Sequence, residues 1–262
     1  MSSYQRNYYP YLVTTTLIMT ILLIGCSRFT IPQLANQDGT ASVDSYDYPI
    51  KPGSVEWKSF KTHDQKVAAI QIPPERLKAM STAGIVETVL NYPLLGDILL
   101  FNSIQQGYDR VSGQFNGIAE LYQRRDAGAV LVANYQTMDA IAIISQSERG
   151  DSSASWGLFY TQILLAQPEI LAMLSVAERN LLLKDAVQKL QAQREQVEGP
   201  GILQKEATAL LIARLLEAQQ EPAFQQKVQR DQSIGKFLRA GGPSTLSVIE
   251  EVYVSGEAAI KE

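Results

Sequence analysis

From Val55 to the end of the chain, apolar residues recur three and four positions apart, and no stretch alternates apolar with polar residues for the length of a strand. A period near 3.6 puts one stripe of each segment against a core, whereas a strand needs a period of two. The pattern predicts an all-α fold. Its clearest segment opens at Ser175-x-x-Glu178, a capping box in which each side chain satisfies the other residue's backbone N–H. Leu183, Val187, Leu190 and Val197 then keep to one face, with Arg194 in the slot between, and Gly199-Pro200-Gly201 is expected to end the helix. A second long helix is predicted through Leu203, Ala207, Leu211, Leu215 and Ala218. A third starts near Pro222 and carries Phe224, Val228 and Leu238 as far as Gly241-Gly242-Pro243. Residues 245–254 fit a helix through Leu246, Ile249 and Val252, with a strand as the alternative because Val248, Val252 and Val254 are β-branched.

The first half reads as shorter helices. Thr62-x-x-Gln65 is another capping box, opening a helix through Ile70. Pro73-Pro74 stops that helix and starts the next. Ser81 caps a helix carrying Ile85, Val86, Val89 and Leu90, which Asn91-Tyr92-Pro93 breaks. The apolar segment 94–101 follows. Leu121, Leu131, Tyr135 and Met138 lie in later helical stretches punctuated by Gly117 and Gly128, and residues 141–144 continue the apolar face. Gly150-Asp151-Ser152-Ser153 is a loop, and a subdivision of the domain would fall there. Trp156 to Ala166 resumes a helix and Pro168 starts another. With no fixed repeat length, the expected architecture is an irregular multi-helix bundle over residues 53–262, with an α-solenoid-like stack as the alternative.

The chain ahead of this domain is different. Residues 12–24 form an uncharged apolar run behind a single cation, Arg6. As a helix the run spans only about 20 Å, short of the roughly 30 Å hydrocarbon core. It has the length of a cleavable export signal. Leu23-Ile24-Gly25-Cys26 closes the run and holds the one cysteine of the chain. These four residues resemble, position by position, the lipobox of bacterial lipoproteins. The resemblance implies signal cleavage between Gly25 and Cys26, a diacylglyceryl thioether on the Cys26 sulfur and frequent palmitate-type acylation of the new amino group. It implies residues 1–25 as signal peptide and 26–52 as a lipidated cysteine with a flexible tether, rich in Ser, Asp, Asn, Gln, Gly and Pro. Such a tether reaches roughly 30 Å, and residues 46–50 are candidates to dock onto the domain. Two or more acyl chains make an anchor lasting. The expected location is the bacterial cell envelope, on the outer membrane where there is one, since Ser27 and not Asp follows the cysteine.

A second resemblance covers about a third of the chain. Tyr48 to Lys58, then Gln71-Ile72-Pro73, Met80-Ser81-Thr82, Val86 to Leu94, Phe115-Asn116-Gly117, Glu120-Leu121 and Arg125-Asp126 are similar to a group of uncharacterised bacterial exported helical proteins. The likeness spans residues 48–128 and implies no activity.

Composition narrows the chemistry. Lys and Arg number 23 against 27 Asp and Glu, a net charge of −4, so nucleic acid is a poor partner. One cysteine, itself a lipidation site, leaves no disulfide, thiolate ligand or cysteine nucleophile. One histidine, His63, cannot build a metal cluster, and no Gly-x-Ser-x-Gly elbow accompanies it. The expectation is no cofactor and no metal. Asp97, inside the apolar segment 94–101, and Glu87, on the Ser81 helix, are candidate paired carboxylates. Asp109 and Asn116 are oxygen donors without cation-site spacing. Ser233-Ile234-Gly235-Lys236 matches Ser-x-x-Lys but lacks the companion motifs of that chemistry. Tyr92, Phe101, Tyr108, Phe115 and Tyr122, at near-seven spacing, read as a core stripe, with an aromatic-lined groove as the alternative.

Three functions follow as expectations. The first is a lipid-anchored, non-enzymatic interaction or scaffold domain with envelope protein partners. The second is an envelope hydrolase using Glu87 and Asp97, or His63. The third, a transporter-associated binding lipoprotein, normally needs two α/β lobes and so ranks last.

Overall fold

The computed structural model describes residues 44–194 and 201–261. The expected signal peptide, Gly25, Cys26, the tether up to residue 43, Val197 and Gly199-Pro200 lie outside the described residues. Within them the chain forms sixteen helices and no strand, an all-α multi-helix fold.

The first half is built from short helices whose boundaries follow local hydrogen bonding. Helix α1 (Val55–Ser59) and α2 (His63–Ala69) are peripheral and bury no residue. The Thr62 capping box forms: the Thr62 hydroxyl accepts from the Gln65 N–H and the Gln65 side chain accepts from the Thr62 N–H. Pro73 caps α3 (Pro74–Ala79), with Pro74 in its first turn. Ser81 caps α4 (Thr82–Leu90), which is buried nearly all round. Segment 94–101 becomes a 3-10 helix, Leu95–Leu100. Then come α5 (Ile104–Ser112), α6 (Asn116–Leu121), α7 (Ala127–Gln136) and α8 (Ala140–Glu148). Gly117 and Gly128 do not punctuate these helices. They lie in the first turns of α6 and α7, where a Cβ would sit 2.4 Å from the Phe115 ring and 2.8 Å from Leu174.

The second half wraps one central helix. Its elements are α9 (Ser153–Leu165), α10 (Pro168–Met173), α11 (Val176–Arg194), α12 (Gly201–Ala218), α13 (Pro222–Arg230), α14 (Gln232–Ala240) and α15 (Leu246–Ala259). Helix α12 packs against α9, α10, α11, α13, α14 and α15. Every residue from Glu206 to Leu216 is buried, as expected of a helix surrounded on all sides. Gly201 lies in the first turn of this helix, and the end of the previous one lies outside the described residues. The single helix expected from Pro222 to Leu238 is two: Asp231 ends α13 and its carboxylate caps α14 by accepting from the Ser233 N–H at 2.8 Å. The strand alternative for residues 245–254 is also overturned, because Thr245 caps a full helix there.

Buried side chains from Tyr48 to Tyr253 form one hydrophobic cluster, continuous across the Gly150 loop. Residues 46–50 of the expected tether lie on the domain: the Tyr46 N–H donates to the Thr88 hydroxyl at 2.8 Å, and the Tyr48 hydroxyl donates to the Thr88 carbonyl at 3.1 Å. Among the described residues no single helix is long and apolar enough to cross a membrane. The pair α7 and α8 qualifies by length and composition only when taken together, across a 62° bend, and Leu131 and Tyr135 of α7 are wholly buried in the core.

Candidate functional site

Helix α4 and the 3-10 helix carry the two candidate carboxylates, and the fold gives them different neighbours. Glu87 sits on the face of α4 covered by residues 44–48. Burial, the largest effect, pushes its carboxyl up, a Ser45 hydrogen bond pulls it down, and the charge of Asp44 pushes it up again. Its Oε2 is buried without a hydrogen-bond partner. Asp97 faces α2 instead. The His63 Nε2 lies 3.5 Å from its Oδ2. Burial raises the Asp97 carboxyl most, and the charges of His63 and Lys66 lower it. Tyr92 and Tyr160 also feel its charge. The structure therefore brings together Asp97 and His63, not Asp97 and Glu87.

Burial raises Glu87, so ionisation opposes folding. The stability its protonated form contributes is complete below the ordinary carboxyl value of 4.5 and falls as pH rises through the higher value in the fold. Glu87→Gln is expected to raise stability at pH 7 by about 1 kcal/mol. The gain should vanish below about pH 4, where the carboxyl is protonated in both states. Thermal unfolding of both proteins at the two pH values checks this, and a lower melting temperature for the variant at pH 7 refutes it.

The remaining candidates are structural. The Asn116 amide donates to the Ile72 carbonyl at 2.7 Å, and its oxygen accepts from the Ile72 N–H at 3.1 Å. This clamp, repeated between Gln71 and residues 114 and 116, ties the start of α6 to the segment before α3. The Asp109 carboxylate accepts from Gln105 at 2.6 Å. No group of three His, Cys, Asp or Glu side chains among the described residues is arranged to hold a metal. The Ser233 hydroxyl donates to Asp231 at 2.6 Å as part of the α14 cap, not to Lys236. Of the aromatic stripe, Tyr92 stacks on Phe115 at 3.8 Å, and the Tyr108 and Tyr122 hydroxyls are hydrogen-bonded to each other. Phe101 departs from the stripe and is 37% exposed.

Two arrangements escaped the sequence. The first is a buried polar chain between α7, α9, α11 and α12. The Gln162 amide donates to the Thr208 hydroxyl at 2.7 Å and to the Tyr135 hydroxyl at 3.2 Å, and the Thr208 hydroxyl lies 2.8 Å from Gln193 Oε1. Beside it the Lys189 ammonium donates to Asp185 at 2.8 Å and lies 4.4 Å above the Tyr135 ring. The only local signal was Thr208 interrupting the apolar run of α12. The second is a cleft of about 580 Å³ where α10, α11, α12, α13 and α14 meet, carrying Arg179, Arg214 and Arg239. The spacing of these arginines in sequence carries no sign that they converge.

Comparison with family models, with curated proteins and with solved structures finds no match.

Proposed function

We propose that this chain is a lipoprotein of the bacterial cell envelope, held by lipid on Cys26, whose helical domain is a non-enzymatic interaction or scaffold domain. The observation that carries the reading is the tetrad Leu23-Ile24-Gly25-Cys26 directly behind an uncharged apolar run. Support for an interaction role comes from Leu99-Leu100-Phe101. These three consecutive apolar side chains are exposed by 36%, 68% and 37%. Singly exposed apolar residues are ordinary, but a run of three at one place is characteristic of a contact surface.

The test is Cys26→Ser expressed in a bacterium. Loss of acyl labelling, and release of the chain from sedimented membranes, is the expected result. Unchanged mass and unchanged membrane retention overturn the anchor. In the same cells a photoreactive residue at position 100 should give one discrete adduct with an envelope protein, and Leu100→Glu should prevent the association. Adducts no different from those of a photoreactive residue at exposed Lys78 overturn the interaction role.

A second reading, an envelope hydrolase, is favoured by one observation, the 3.5 Å approach of His63 to a partly buried Asp97. It would use that pair, with His63 as base and Asp97 orienting it. Hydrolysis of a cell-envelope substrate lost in both His63→Gln and Asp97→Asn would support it over the first.

A further inference from the structure

Three helix ends converge on the cleft between α10 and α14, and arginines answer them. Arg214, on the central helix, donates to the Ala166 carbonyl ending α9 at 3.1 Å and to the Leu238 and Arg239 carbonyls of α14 at 3.2 and 3.3 Å. Arg179 donates through one nitrogen to the Ala218 carbonyl ending α12 at 3.0 Å. These bonds neutralise the partial negative charge of the helix ends. Guanidinium donors remain. The Arg179 Nε is buried without a partner, and the exposed Arg239 lines the same cleft. None of the three arginines forms a salt bridge, and Glu217 is the one carboxylate lining the cleft. Three guanidinium groups thus meet in a chain of net charge −4, with Glu217 in the lining and the charges of Asp109 and Glu169 acting on Arg214 from nearby.

The lining also has an aliphatic part, a wall formed by Leu171, Val228 and Leu238. The volume, about 580 Å³, falls in the range of small-molecule sites. Forked donors with free N–H groups suit a carboxylate or phosphate, and the wall suits a short hydrocarbon body. We infer that this cleft binds an amphiphilic organic anion, its carboxylate or phosphate head held by Arg179 and Arg239 and its aliphatic body lying on Leu171, Val228 and Leu238. Arg214 ties the ends of α9 and α14 together beside the cleft. The site is independent of how the chain is anchored.

Isothermal titration of the full chain carrying Cys26→Ser tests this with four probes: decanoate, decyl phosphate, decanol and inorganic phosphate. Saturable one-to-one binding of decanoate or decyl phosphate is expected, and the tighter of the two identifies the head. Arg179→Gln and Arg239→Gln should each weaken that binding about tenfold. Arg239 is exposed, so its variant should melt with the parent and keep the test independent of folding. Decanol binding as tightly as both anions would show that the arginines add nothing, and inorganic phosphate matching decyl phosphate would show the same of the wall. Either result overturns the inference, as does absent binding or binding unchanged in both variants.

Discussion

Arg214→Met is expected to cost about 3–5 kcal/mol, a drop of roughly 10 °C in melting temperature for a chain of this size. Arg214 is buried at the centre of the second half and donates its hydrogen bonds to backbone carbonyls. Burial lowers its guanidinium, while the charges of Glu217, Asp109 and Glu169 support the cation. Methionine fills most of the volume but leaves the last carbonyls of α9 and the last turn of α14 without donors. Arg214→Lys should recover part of the loss, since a single ammonium cannot reach three carbonyls arranged around a planar fork. Urea unfolding of the three proteins measures the effect. A methionine variant within about 2 °C of the parent would mean that those helix ends find donors elsewhere.

Gly107→Ala should be comparably damaging, for a steric reason. Helix α5 crosses the 3-10 helix so closely that a Cβ at position 107 would lie 2.0 Å from the Ile98 carbonyl oxygen and 2.7 Å from its carbon. Backbone atoms cannot rotate away, so the two helices must separate, at a cost of about 3 kcal/mol. Gly235→Ala is the matched control. Gly235 is also inside a helix, α14, but a Cβ there would meet only side-chain and carbonyl atoms at 3.5 Å or more. Relief of backbone entropy should make it neutral or stabilising by up to about 1 kcal/mol. Thermal melts of both variants separate the two cases, and equal melting temperatures would refute the close crossing.

Several helix starts were legible because their causes lie within four residues. Thr62 with Gln65, Ser81 with Gly84, Ser175 with Glu178, and Pro74 and Pro168 in first turns each act through a local hydrogen bond or a fixed φ. The break at Asp231 used the same chemistry, an Asp accepting from the N–H two residues on, but apolar periodicity ran across it and hid it. The short 3-10 helix was visible only as an apolar segment, since Leu95 and Ile98 face the core while Leu99 and Leu100 do not. Of the candidate site, Asp97 and His63 could be named but not paired, since their contact joins residues 34 apart.

By itself the sequence determined the helical class, the caps at Thr62, Ser81 and Ser175 and the absence of cysteine and histidine clusters. It also supplied the tetrad Leu23-Ile24-Gly25-Cys26, whose resemblance to a lipobox carries the proposed anchoring of Cys26. Those features depend on side-chain chemistry and on neighbours within one turn. The tertiary structure alone decided that α12 is central, that Arg214 closes two distant helix ends, that Thr208 joins a buried polar chain, and that Arg179, Arg214 and Arg239 share one cleft. Such contacts span tens of residues. They exist because close packing of many short helices permits few arrangements, and no periodicity in the chain encodes which helix ends will meet.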